Sequence, residues 1–219
     1  MNAPTEHTQL QAPARRTYDA EASLVNILEV ATAEFADKGL SGARIDEIAA
    51  RTRTSKRMIY YHFTSKEDLY LAVLENAYRR LRDVESNLQL DDLEPEDALR
   101  RLVGHTFDHH VDNEPFIRLV MNENMQRGQY LSRSTLIHQA NMPAIDGVRS
   151  VYQRGVEAGL FRRGLDPVDV HWSISALCFF HVANHYTFTL IFDRDKDPQA
   201  VQRARRDLVI DMVVRNLRR

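Results

Sequence analysis

The stretch Ile45–Phe63 reads Ile-Asp-Glu-Ile-Ala-Ala-Arg-Thr-Arg-Thr-Ser-Lys-Arg-Met-Ile-Tyr-Tyr-His-Phe. It divides into two short helical patterns. Ile45, Ile48 and Ala49 share one face of the first, which spans Ile45 to Thr52. Ile59 and Phe63 share one face of the second, which spans about Ser55 to His62. Ser55 or Thr54 stands where a side-chain oxygen caps the free N–H groups of a helix start. Two short helices joined by a tight turn form a helix-turn-helix. The first helix of such a pair braces on the phosphate backbone, and the second presents its early side chains to base edges in the major groove.

The residue types suit that task. Thr54, Ser55, Lys56 and Arg57 stand at the start of the second helix, where the dipole end and the free N–H groups also favour phosphate. The Arg57 guanidinium matches the O6/N7 acceptor pair of guanine. Tyr60, Tyr61 and His62 place rings and donors one turn further along. Lys66 and Arg44 lie within reach of phosphates at either side. The net charge of the chain is −2, but Arg44–Lys66 carries six basic and two acidic residues. A local basic patch beside an acidic body points to a polyanion partner. Singly, each basic pair reads as a solvated face and each tyrosine as a surface or core ring. Their joint occurrence in a helix-turn-helix frame decides for DNA.

At these residues the sequence resembles the TetR family of transcriptional regulators. The shared features are Ile48-Ala49, Tyr60-Tyr61-His62-Phe63 and Ser65-Lys66-Glu67-Asp68-Leu69, with Ala33-Glu34-Phe35 and Lys38-Gly39 upstream. They cover about residues 20–74. The resemblance implies DNA contacts at Thr54, Ser55, Lys56, Arg57, Tyr60, Tyr61, His62 and Lys66. The sequence departs from the family in the turn, where Arg53 and Thr54 replace a Gly and an apolar residue. A non-Gly residue in a left-handed turn costs about 1 kcal/mol, so either the turn is remodelled or Arg53 adds a phosphate contact. Ile45 stands where the family often has a contacting Thr; it cannot donate a hydrogen bond, and that role is not carried over.

Outward from this motif the chain reads as all-α. Residues 1–17 are rich in Ala, Pro, Thr and Gln and are expected to be disordered; Arg15-Arg16 read as tail charges rather than a minor-groove arm. A first helix is expected over Tyr18–Lys38, with Leu24, Ile27, Leu28, Ala31 and Phe35 on its inner face and Gly39 at its end. Ser65 caps a fourth helix that runs to about Leu88. Further helices are expected from Pro95 to Asp112, from Pro115 to Gly128, and from Pro143 to Ala158-Gly159, with a less regular segment over Tyr130–Gln139. A long apolar helix runs from Asp166-Pro167 to about Phe188. A charged loop, Asp193–Asp197, leads to a last helix over Pro198–Leu217. The expected division is an arm (1–17), a DNA-binding head (18–66) and a helical body (67–219).

Composition excludes several classes. Apolar residues make up 43% and charged residues 27% of 219, close to the globular average. One cysteine, Cys178, forbids an intrachain disulfide and any Cys-rich zinc module, and fits a reducing, cytoplasmic setting. Met1 to Arg16 lack the apolar core of a secretory signal. The apolar run Ile174–Phe192 is long enough to span a bilayer but holds His181, Asn184 and His185, so it is expected to be a buried helix and no membrane partner is expected. No phosphate-binding glycine loop, Gly-x-Ser-x-Gly elbow or His-Glu-x-x-His motif occurs, so no enzyme is read from the sequence.

The resemblance implies that the body binds a small effector and dimerises through its last two helices. Ile174, Leu177, Cys178 and Val182 form one candidate apolar stripe; Leu208, Val209, Met212, Val213 and Leu217 form another. A dimer would match two half-sites with a two-fold axis. Candidate effector ligands are His105, His109, Phe116, Arg118, Asn122, Asn124, Met125, Asn184 and His185, of which Arg118 suits a carboxylate. Met121–Asn124 loosely resembles family members that control pyrimidine, nicotinate or aromatic-acid breakdown. The pairs His105/His109 and His181/His185 have metal-ligand spacing, but lack further ligands nearby and read better as core or interface residues. No cofactor or metal is expected. The expected function is a homodimeric repressor released from operator DNA by a small molecule. The alternative is an architectural or activating DNA-binding protein without effector release.

Overall fold

Ile27, Ala31 and Phe35 recur at the helical repeat and are completely buried, which fixes the inner face of α1 (Ala14–Gly42). The helix is interrupted at Gly39, whose φ of 65° is open to glycine at little cost. α2 (Ile45–Thr52), α3 (Lys56–His62) and the start of α4 (Lys66–Glu85) close over that face. The computed structural model describes residues 14–193 and 197–219. In them the chain continues through α5 (Pro95–Asp112), α6 (Glu114–Met125), α7 (Thr135–Glu157), α8 (Pro167–Ala183), α9 (His185–Phe192) and α10 (Pro198–Leu217). The β pairing among the described residues is one isolated antiparallel bridge, Phe161 to Arg218.

Two main cores hold the helices. The first joins Phe35, Ile48, Ile59, Leu69 and Tyr70 with Leu119 of α6 and Ile137 of α7. The head is therefore sealed partly by residues from the body. Phe35 and Tyr70 meet edge-to-face at 5.1 Å. The second core packs Val103 and Phe107 of α5, Val151 of α7, Ile174 and Cys178 of α8, and Val209 and Val213 of α10. Gly155 lets the Phe161 ring lie directly on the α7 backbone; a Cβ there would collide with the ring.

Several boundaries differ from the sequence expectation. α1 begins at Ala14 rather than Tyr18, so Arg15 and Arg16 lie in a helix. The expected disordered arm otherwise falls on residues 1–13, which lie outside the described residues, as do residues 194–196 of the charged loop. Pro143 does not start a helix. It stands exposed inside α7, which begins eight residues earlier at Thr135. The Ser134 hydroxyl caps that start by accepting from the Ile137 N–H at 3.2 Å, and Ile137 is buried in the first core. Cap and burial together outweigh the one backbone hydrogen bond that proline removes.

The apolar stretch after Pro167 also differs. α8 stops at Ala183, Asn184 leaves helical geometry, and α9 turns away at 65°. No single helix among the described residues is long and apolar enough to cross a membrane. The run expected to be buried is buried only in part: Ile174 and Cys178 are, whereas no residue of α9 is. The two stripes expected at a dimer interface largely face the monomer's own core, because Ile174, Cys178, Val209, Val213 and Leu217 all lie in it. Of those stripes Leu208 and Met212 of α10 stay exposed, beside Trp172 and Phe180 of α8, which were not among them.

Candidate nucleic-acid interface

The turn before α3 keeps the left-handed geometry that glycine would favour. Arg53 adopts φ 54°, ψ 30°. Its N–H donates to the Ala50 carbonyl at 3.3 Å and the Thr54 N–H to the Ala49 carbonyl at 3.1 Å, which closes the end of α2. The turn is not remodelled; the arginine bears the strain of about 1 kcal/mol, and its side chain points to solvent. Thr52 is buried and returns its hydroxyl to the Ile48 carbonyl at 2.8 Å.

α3 is capped by Ser55, whose hydroxyl accepts from the Met58 N–H at 3.1 Å. Only Ile59 of this helix is buried. Arg57, Tyr60 and Tyr61 project outward, and Tyr61 is 80% exposed. Half-exposed Met58 shares this surface and was not singled out by the sequence. His62 is half-buried, its ring edge-to-face with Tyr61 at 5.4 Å. Lys56 forms an ion pair with Asp46 of α2, and Arg44 approaches the same carboxylate at 3.9 Å. Exposed pairs of this kind contribute about 0–1 kcal/mol, so both cations can exchange Asp46 for a phosphate at little cost. Lys66 is more constrained: its ammonium donates to the Ala43 carbonyl at 3.2 Å. Thr54 is half-buried beneath the turn.

The placement of this surface depends on Glu34, which is only 3% exposed. Its carboxylate accepts from Lys38 at 2.8 Å and from the Arg44 N–H at 3.3 Å, and it lies 3.6 Å from Arg51. Burial alone would raise its pKa, but these partners hold the carboxyl below its ordinary value. Glu34 thus clamps α1 to both ends of α2. From the other side, Arg118 Nε of α6 donates to the Ala36 carbonyl at 2.9 Å and Asn122 Nδ2 to the Phe35 carbonyl at 3.2 Å.

Comparison with known proteins agrees with this geometry. Residues 27–73 match the family described as bacterial regulatory proteins, tetR family, and residues 95–213 match the tetracyclin repressor-like C-terminal domain. The HTH-type transcriptional repressor NicS of Pseudomonas putida is 31% identical over 93% of this chain and 96% of its own length. The chain belongs to the TetR family. The HTH-type transcriptional repressor SCO4008 of Streptomyces coelicolor is 34% identical over 63% of this chain and 69% of its own. The crystal structure of SCO4942 from the same organism superposes with a TM-score of 0.67 at 28% identity, covering 89% of this chain and 98% of that one. As a TetR-family protein the chain is a DNA-binding transcriptional repressor and not an enzyme.

In this TetR-family body the nine effector candidates do not converge. Arg118 and Asn122 are spent on α1. Asn124 donates to the Val120 carbonyl of its own helix at 2.9 Å, and Met125 is exposed at the end of α6. Arg118, Asn122 and Met125 share a face of α6, and that face meets α1 and solvent. His105 opens on a groove of about 730 Å³ between α5 and α10, beside Asp108 and Arg206. His185 lines a cavity of about 670 Å³ between α8, α9 and α10, with Phe180, His181 and Arg205, while Asn184 marks the bend between α8 and α9. His109 meets Phe116 at 5.9 Å and His105, one turn before it on α5, at 6.3 Å between ring centroids. Among the described residues no group of three or more His, Cys, Asp or Glu side chains can hold a metal.

Proposed function

We propose that this protein is a homodimeric repressor that holds its operator through α3 and leaves it when a small-molecule effector binds the body. Small aromatic or heterocyclic catabolic metabolites are the proposed effector class, and the cytoplasm the proposed location. The observation that carries the reading is the outward face of α3, where Arg57, Tyr60 and Tyr61 stand exposed side by side. Arg44, Thr54, Ser55, Lys56, His62 and Lys66 complete the proposed contact set around it. The proposed division remains a head over 18–66 and a body over 67–219.

Dimerisation is supported by the exposed apolar side chains of α8, α9 and α10. Trp172, Phe180, Leu190 and Met212 all lie open on the isolated chain, and a large contiguous apolar surface normally marks an interface. A dimer reads half-sites about 34–36 Å apart. Effector release requires that the bound ligand prefer a conformation that breaks this spacing, with a coupling of about 1–3 kcal/mol.

Fluorescence anisotropy on labelled DNA from the region upstream of the coding sequence, with competitor DNA and a panel of aromatic and heterocyclic acids, tests the reading. Specific binding released by one acid is the expected result. Specific binding that no compound releases would favour an architectural or activating role, and binding no tighter than to random DNA would count against operator recognition there.

A further inference from the structure

The bend at Asn184 opens a space that one continuous helix would not leave. α8 ends at Ala183 and α9 swings aside at 65°. Between these two helices and α10 lies the cavity of about 670 Å³, a size typical of small-molecule sites. Its walls are mainly apolar, with Phe180 and Val182 of α8, Phe188 of α9, and Val201 and Leu208 of α10. α9 carries no acidic, lysine or arginine side chain, and no residue of it is buried. It is fastened lightly. Phe188 meets Phe180 at 6.1 Å between ring centroids, and the Tyr186 hydroxyl donates to Glu114 of α6 at 3.3 Å.

One fixed cation enters this apolar space. Arg205 lines the cavity and makes no ion pair among the described residues, whereas its neighbour Arg206 is held by Asp108 at 2.7 Å. The Arg205 charge acts on His181 and on the buried Cys178, both on α8. His181 stacks on Phe107 at 4.9 Å and lies 6.2 Å from His185, ring to ring. Burial first, then the charges of His185 and Arg205, hold His181 below the ordinary histidine pKa, so it is chiefly neutral at pH 7. The one carboxylate in the lining, Glu114, is engaged by Tyr186 and lies 3.7 Å from Arg118. A neutral apolar guest would bury the guanidinium without a partner, which is costly. A dianion would find no second fixed cation. A monocarboxylate meets both demands, with paired N–H···O bonds to the guanidinium and its body against the rings.

We propose that this cavity binds an apolar monocarboxylate, with its acid on Arg205 and its body beneath α9. The ligand supplies the packing that α9 lacks and fixes that helix on α8 and α10. Phe180 of the lining also belongs to the exposed surface proposed to pair, and Leu208 lies open beside it. A filled cavity therefore orders that surface in advance and strengthens self-association. The site does not depend on effector release from the operator; its link to self-association rests on the dimer reading above.

The test titrates the full chain by calorimetry with octanoate and cinnamate, and with octanol and cinnamyl alcohol as uncharged controls. The first acid stands for aliphatic ligands and the second for aromatic ones. At least one acid binds more tightly than its alcohol and slows amide hydrogen exchange over residues 185–192. Arg205→Gln weakens that acid by roughly tenfold or more, the loss of one charge-assisted hydrogen bond, and leaves the alcohol unchanged. Ala204→Trp, at an exposed position of α10 that also lines the cavity, blocks acid and alcohol alike. Circular dichroism checks that both variants fold; if Arg205→Gln does not, the acid–alcohol comparison and Ala204→Trp decide. No binding by either acid, equal affinity for acid and alcohol, full acid affinity in either folded variant, or unaltered exchange in α9 overturns the proposal. Sedimentation with the acid present shows a severalfold lower dimer dissociation constant. Arg205-dependent binding that leaves sedimentation unchanged keeps the site and refutes its link to self-association. Arg205-dependent binding that leaves the operator complex intact supports the site and counts only against effector release by that acid.

Discussion

Arg118 of α6 donates to the Ala36 carbonyl near the end of α1, 82 residues earlier in the chain. The guanidinium also reaches the Asp37 carbonyl at 3.3 Å, and Asn122 one turn on holds the Phe35 carbonyl. These bonds satisfy carbonyls just before the break at Gly39, so any movement of α6 is felt where the helix-turn-helix is attached. Arg118→Ala is expected to lower stability by about 1–3 kcal/mol in urea unfolding, and to speed amide exchange over residues 36–44. Unchanged exchange there would show that α6 does not restrain the head.

Glu34 gives a pH signature in the acid range. Its folded pKa lies below its ordinary value of 4.5, so its contribution is fully present above that value and is lost as pH falls through the folded pKa. Glu34→Gln should be less stable than the wild type at neutral pH by about 1–3 kcal/mol, with the gap closing below pH 4.5. A gap independent of pH would mean that shape, not charge, is what Glu34 supplies.

His110 acts in a higher window. Burial holds its folded pKa at about 4, against 6.5 for the free group. The unfolded chain therefore takes up this proton first as pH falls from 6.5, and stability drops until about pH 4, by roughly 3 kcal/mol in all. His110→Leu should flatten the slope of unfolding free energy between pH 7 and pH 5, measured in urea. The same slope in both proteins would contradict a neutral buried imidazole.

Arg53 occupies a glycine conformation, which allows its two proposed consequences to be separated. Arg53→Gly should relieve strain and raise stability by at most about 1 kcal/mol. It should also remove one cation from the DNA-facing surface and reduce the salt dependence of DNA binding by about one charge. An unaltered salt slope would remove Arg53 from the interface.

Trp172 is the only tryptophan in the chain and is 72% exposed. Pairing through α8 would bury it. Its emission should shift to the blue as concentration rises, and Trp172→Arg should sediment as a monomer. A wild-type dimer whose Trp172 emission stays that of a solvated indole would place the interface elsewhere.

The legible parts of this protein are those encoded within a few residues. Ser55 and Ser65 cap helices because a side-chain oxygen meets an N–H three positions on. Ile45, Ile48 and Ile59 turn inward because their spacing gives them no other shared face. That local grammar determined the helix-turn-helix and, with it, the family. It also placed Arg57 and Tyr61 on the outside without any knowledge of the rest of the chain. Tertiary structure decided what helical spacing leaves open, namely which neighbour a face meets. Arg118 and Asn122 read equally well as effector ligands or surface groups until α6 is laid against α1. Ile174 and Val209 read as interface residues until α8 and α10 are packed on α5. Pro143 reads as a helix start until Ser134 and Ile137 anchor the turns before it. Arg82 of α4 and Asn141 of α7 lie 59 residues apart in sequence and meet only when the helices converge. A helix specifies its own faces through local hydrogen bonds and side-chain repeat, whereas the partner of each face is chosen by the packing of the whole chain.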